Sequence, residues 1–147
     1  MLTIKRLSVD DAATLIEGAE RKSVELGVPQ CIAVADESGN LIAFKRMDGG
    51  KVTSISIAID KAFTGAAAKR GTHVYNELCQ SGKPTFGIHV TNGGRFSIIG
   101  GGLPVVVDGE IVGGIGVSSG TAEQDVICAQ AGVDHFLSVL GNAARVK

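Results

Sequence analysis

Thr91-Asn92-Gly93-Gly94-Arg95, an apolar run from Phe96 to Ile99, Gly100-Gly101-Gly102, Leu103 to Val107, Asp108-Gly109, Glu110 to Val117 and Ser118-Ser119-Gly120-Thr121 form the stretch on which the fold turns. It reads as three short β-rich runs with glycine at every corner. Asp108-Gly109 between Val105-Val106-Val107 and Ile111-Val112 predicts a hairpin closed by a type I′ turn, whose twist matches the flanking strands. Glycine weakens strands through lost chain entropy, so its density here needs a reason. Two readings stand: tight hairpins and bulges, or main chain that must lie close to something flat or bulky.

Downstream, Thr121-x-x-Gln124 fits a capping box and opens a last helix. Its apolar face is Val126, Ala129, Val133, Phe136, Leu137 and Leu140. Gly141 is read as its cap, with Asn142 to Lys147 frayed. Upstream, Ser8-Val9-Asp10-Asp11 begins a helix with a capping serine and two acids at the positive end of the dipole. Ala12, Leu15, Ile16, Ala19 and Leu26 share one face, and Gly27 with Pro29 ends the helix. Cys31 to Ala35 and Leu41 to Met47 form a hairpin around the turn residues Asp36 to Asn40. A second helix spans Ser54 to Lys69. A short one, capped by Thr72, runs toward Gly82, and Lys83-Pro84 directs the chain into an extended path.

The element order is helix, two strands, helix, short helix, three strands, helix. Strands that arrive in hairpins predict an antiparallel sheet of about five strands covered by helices, an α+β layered domain. The 147 residues suit one domain, 1–147, with its own core. Aromatic residues are only 4%, so Val, Ile, Leu and Ala build that core.

Charge narrows the partners. With 14 basic and 15 acidic residues the net charge is −1, which argues against nucleic acid as a main partner. No apolar run of about eighteen residues exists, so no membrane span is expected. Cys31, Cys79 and Cys128 are odd in number and far apart, which reads as free buried thiols in a reducing compartment. No signal-peptide pattern precedes the first helix, and cytoplasm is the expected place.

Chemistry has few obvious carriers. The histidines His73, His89 and His135 form no HxH or HExxH pair; His89 is best placed, beside the glycine-rich stretch. Glu123 and Asp125 lie in the first turn of the last helix, where acids are ordinary dipole partners; moving a proton would require burial. Arg46 and Arg95 suit a carboxylate. The amides of Ser118 to Thr121 precede a helix and could hold one anion.

Gly39-Asn40-Leu41 with Arg46-Met47-Asp48-Gly49, Ala58-x-x-Lys61-Ala62-x-Thr64, Thr91 to Arg95, Gly100-Gly101-Gly102-Leu103-Pro104-Val105 and Gly113-Gly114-Ile115-Gly116-Val117-Ser118 with Glu123-Gln124-Asp125 occur in this order. Together they resemble the GlcG/HbpS family, which includes the C-terminal domain of PduO-type proteins. The resemblance covers roughly residues 3 to 140. It implies a profilin-like α/β/α domain, assembly into dimers or larger homo-oligomers, and haem as cofactor, with haem degradation or sensing as roles. His89 and Thr91 are then the implied iron ligands, and Arg46, Asn92, Gly93, Gly94 and Arg95 line the cofactor. The other implied reading is an enzyme or accessory protein acting on a small oxygenated metabolite. There Arg46 or Arg95 would clamp a carboxylate and Glu123 or Asp125 would serve as acid–base group, all converging on one pocket, within a chain or across a subunit interface.

Assembly also follows from the second helix. Ile55, Ile57, Ala58, Ile59, Ala62, Phe63, Ala66 and Ala67 are too many for one face, so a partner chain is expected to cover the rest, with the site near the contact; the alternative cover is the Thr72 to Gly82 segment. Ala62, Gly65, Ala66 and Ala68 would permit close helix approach.

Overall fold

A computed structural model describes residues 1–146, with side chains to Ala143. Helix α1 (Val9–Leu26) is followed by β1 (Cys31–Asp36), β2 (Leu41–Arg46), α2 (Thr53–Ala67) and α3 (His73–Leu78). Then come β3 (Gly102–Val107), β4 (Glu110–Ser118) and α4 (Ala122–Val146). The local signals act as read. Ser8 and Asp11 form a reciprocal capping box, and α1 ends at Gly27. Thr121 and Gln124 form another box at the start of α4. Asp36 Oδ1 accepts the amides of Ser38 and Asn40 at 2.9 Å, which shapes the first hairpin. Asp108 and Gly109 both have positive φ, as a type I′ turn requires.

The sheet is antiparallel, ordered β2-β1-β4-β3. Its period of two separates two unlike faces. Ile32, Val34, Val105, Ile115 and Val117 meet α1 and α4 through Leu15, Ala19, Ala129, Val133 and Phe136. Burial of such side chains contributes about 1.5–3 kcal/mol each. The opposite face presents Cys31, Ala33 and Ala35 to Ala58 and Ala62 of α2. On β4 that face is glycine: a Cβ on Gly114 would stand 2.5 Å from the Ala62 carbonyl oxygen. On α2 itself, a Cβ on Gly65 would stand 2.8 Å from the Leu103 main chain. The flat object that the glycine-rich stretch approaches is α2 of the same chain. The α/β/α layering is the one that the resemblance implies.

Several expectations are corrected. The sheet has four strands, because Phe96–Ile99 is irregular. Its backbone is held by side chains instead of a neighbouring strand: Ser97 N donates to Thr64 Oγ1 at 2.9 Å, and Ile99 O accepts from Thr72 Oγ1 at 2.6 Å. Phe96 leaves the sheet to meet the Tyr75 ring edge-on at 4.8 Å. Thr72 therefore does not cap α3; its hydroxyl also accepts from Gly102 N. The segment after Pro84 turns instead of extending, since Thr85 N and Oγ1 both bond back to Leu78 O, and Ile88–Val90 is a 3₁₀ turn. Gly141 does not end α4, and Leu26 of α1 and Leu137 and Leu140 of α4 are exposed. Asn142 to Val146 continue the helix, and Lys147 lies outside the described residues. Ala62, Gly65 and Ala66, read as a contact for another subunit, are covered by the sheet, while Ile55, Ile57 and Ile59 stay half-buried.

Candidate functional site

Two polar constructions flank α2. The inner one centres on Lys61, which is 1% exposed. Its ammonium donates to Val117 O and to Asp125 Oδ2, both at 2.9 Å. Asp125 is 2% exposed, and its other oxygen accepts the Gly120 amide at 3.0 Å. That amide also reaches Gln30 Oε1 at 3.0 Å. Burial pulls the Lys61 pKa below its ordinary value, and the charge and hydrogen bond of Asp125 work against that. A buried charge needs such partners, so this is a strut joining α2, β4 and the start of α4. Asp125 has both oxygens occupied and no solvent-facing side. The amides of Gly120, Thr121 and Gln124 are taken by side chains of the chain itself, which uses up the anion site read at Ser118 to Thr121.

The outer construction is the Thr91–Arg95 loop. Asn92, Gly93 and Gly94 have φ of 54°, 66° and 79°, the left-handed region that glycine tolerates best. A Cβ on Gly93 or Gly94 would meet nothing within 4 Å, so the loop faces open space. Thr91 Oγ1 donates to Ile88 O at 2.6 Å and accepts from Asn92 Nδ2 at 3.1 Å. His89 is exposed on the preceding turn, and no described side chain bonds its ring. Phe86 and Val90 on the same segment are 68% and 70% exposed.

Arg95 borders a cleft of about 200 Å³ between this loop and α2. Arg46 lies at the far end of β2 in a cleft with Glu20 and Asp48, and among the described residues it makes no ion pair. Glu123 opens on a third cleft, of about 290 Å³, with His73 and Asn76. The loop thus brings together His89, Thr91, Asn92, Gly93, Gly94 and Arg95. It does not gather Arg46, Glu123 or Asp125 into the same pocket of the chain.

Sequence reasoning gave no site role to Asp60, Lys61, Phe63, Thr64 or Thr72: Lys61 and Thr64 entered only as part of the family motif, Phe63 as helix surface and Thr72 as a cap. One signal was present: Lys61 sits between Ala58 and Ala62 on the apolar side of α2, where a charge demands a buried partner.

The model of a protein family described as haem-degrading, HbpS-like, matches residues 7–134. The chain belongs to the HbpS-like family. This HbpS-like chain is 38% identical over 133 residues to an uncharacterized 15.0 kDa protein of the dhaT–dhaS intergenic region of Citrobacter freundii, covering 90% of this chain and 94% of that one. It is 35% identical to protein GlcG of Escherichia coli over 76% of this chain and 81% of GlcG. Among solved structures, a PduOC–haem complex superposes with a TM-score of 0.84 at 31% identity, covering 88% of this chain and 94% of that one.

Proposed function

We propose that this HbpS-like chain is a haem-binding domain whose cofactor lies against the Thr91–Arg95 loop. The observation that carries the reading is the likeness to PduOC, a relative solved with haem, over nearly the whole chain. The loop suits a planar group: Gly93 and Gly94 leave its face open, and Phe86 and Val90 supply apolar contact beside it. His89 is the first candidate for the iron, because its imidazole is exposed and unbonded and imidazole is a common haem ligand. Thr91 is the second; its hydroxyl is already engaged in two hydrogen bonds.

The cleft beside Arg95, about 200 Å³, is smaller than the 300–1,000 Å³ or so that encloses a drug-sized ligand. It would take in an edge of haem, and in this reading a second chain covers the rest. Ile57, Phe86, Val90 and Ile99, incompletely buried in one chain, supply apolar surface for that contact. The reading includes assembly as a homo-oligomer with the site near the subunit boundary. Degradation or sensing of haem would build on this binding. An acid–base enzyme would need Arg46 or Arg95 and Glu123 gathered across subunits, since one chain spreads them over three clefts.

Haemin titration followed in the Soret region tests the binding, with a shifted, saturable band expected. Weak, salt-sensitive association without a shifted band would overturn it. Light scattering tests assembly: a mass near 15.0 kDa, unchanged by haemin, would exclude the shared site.

A further inference from the structure

Arg95 is held from three sides by one face of α2. Asp60, Phe63 and Thr64, at i, i+3 and i+4, all reach it or its main chain. Asp60 Oδ1 accepts from Arg95 Nε at 3.3 Å. The Phe63 ring lies under the guanidinium, 4.1 Å from its central carbon. Thr64 Oγ1, whose single proton is shared between Asp60 O at 2.8 Å and Arg95 O at 3.2 Å, accepts from Ser97 N at 2.9 Å and fixes the chain on the far side as well. A guanidinium fixed by its Nε and one flat face keeps its Nη1–Nη2 edge. Among the described residues no acceptor meets that edge. It borders a cleft whose other walls include Ile57, Phe96, Ile98 and Ile99.

We infer that Arg95 is a preorganised receptor for the carboxylate of an amphipathic ligand. The free edge of a guanidinium matches two carboxylate oxygens, and locking the side chain beforehand removes most of the ordering cost of binding. The Asp60 carboxylate beside it selects a monoanion, because a phosphate dianion would be repelled. The apolar wall selects a ligand with a hydrocarbon body behind its carboxylate. A haem propionate fits this description if the haem-binding reading holds, and the inference rests on that reading for the larger ligand. A free aryl or alkyl monocarboxylic acid offers the same chemistry.

The test compares haemin with haemin dimethyl ester, which keeps the ring and iron but lacks both carboxylates. The wild type is expected to prefer haemin by about tenfold or more, as charged hydrogen bonds at a half-exposed site allow. Arg95→Gln should erase the preference, so that haemin and its ester bind alike. Arg95→Lys should restore only part of it, since an ammonium lacks the planar edge. Arg95→Lys also serves if Arg95→Gln does not fold. Equal binding of both haemins by the wild type, or a preference that survives in Arg95→Gln, overturns the inference while the haem reading stands. If neither haemin binds, the haem reading fails and 4-phenylbutyrate against 4-phenylbutanol decides. An Arg95-dependent NMR shift of the Nε–H with the acid alone supports the receptor, and no such shift overturns it.

Discussion

Asp60 and Lys61 are neighbours on α2, yet they make opposite kinds of ion pair. Lys61 points into the protein and meets Asp125 with side chains 1% and 3% exposed; Asp60 points outward and meets Arg95 at 30% and 45%. One step along a helix turns the side chain by about 100°, and that rotation separates a buried strut from an open receptor. Inside, neither partner can be lost without stranding the other in a low dielectric. Outside, water replaces a lost partner readily, so the pair contributes little stability and is free to orient a ligand-binding group.

The sharpest way to break this comparison is Lys61→Met. It leaves Asp125 buried and unpaired, and it should lower unfolding free energy by about 3–5 kcal/mol in urea titration. Lys61→Met with Asp125→Leu should recover most of that loss. If the double variant is as unstable as the single one, the strut has another function than pairing. Glycines on the two sides of α2 sharpen the contrast. A Cβ on Gly116 would press into Ala58 O and Ala62 N, both main chain, so Gly116→Ala should cost about 3 kcal/mol by forcing α2 off the sheet. Gly93→Ala meets only empty space but must hold a left-handed φ, and about 1–2 kcal/mol is expected. Asp60→Asn should change stability by less than about 1 kcal/mol, although it loosens Arg95.

The smallest effect is one of pH. Arg6 grips Glu37 through two hydrogen bonds of 2.8 and 2.6 Å, and this lowers the Glu37 pKa from 4.5 to about 2. A carboxylate whose pKa falls on folding adds stability above its unfolded pKa and loses it as the pH drops. The difference in urea midpoint between wild type and Glu37→Gln should therefore be full above about pH 4.5 and fade toward pH 2. A difference constant across that window would show that the pair is not the cause.

Signals that act within a few residues were legible. Ser8 with Asp11, Thr121 with Gln124 and Asp108-Gly109 each close a hydrogen-bonded ring or turn from residues adjacent in the chain, so their chemistry is written in the local order. The outer loop was legible for the same reason: Thr91 to Arg95 are adjacent in the chain. The apolar run Phe96–Ile99 misled because hydrophobicity marks burial, not strand pairing. Thr64 and Thr72, both distant in the chain, satisfy its backbone instead.

The sequence by itself determined the α+β order, both ends of α1 and the start of α4, the two hairpins and the family. Each of these depends on short-range geometry or on blocks that recur in order. Only the tertiary structure decided what the glycines of β4 are for, that Lys61 closes on Asp125 across 64 residues, and that α2 aims three side chains at Arg95. Those facts depend on which surfaces meet after the chain has folded, and no spacing along the chain encodes a meeting between α2, the loop and the start of α4. Folding gives each of them its physical effect: it excludes water from one side of α2 and leaves the other side wet.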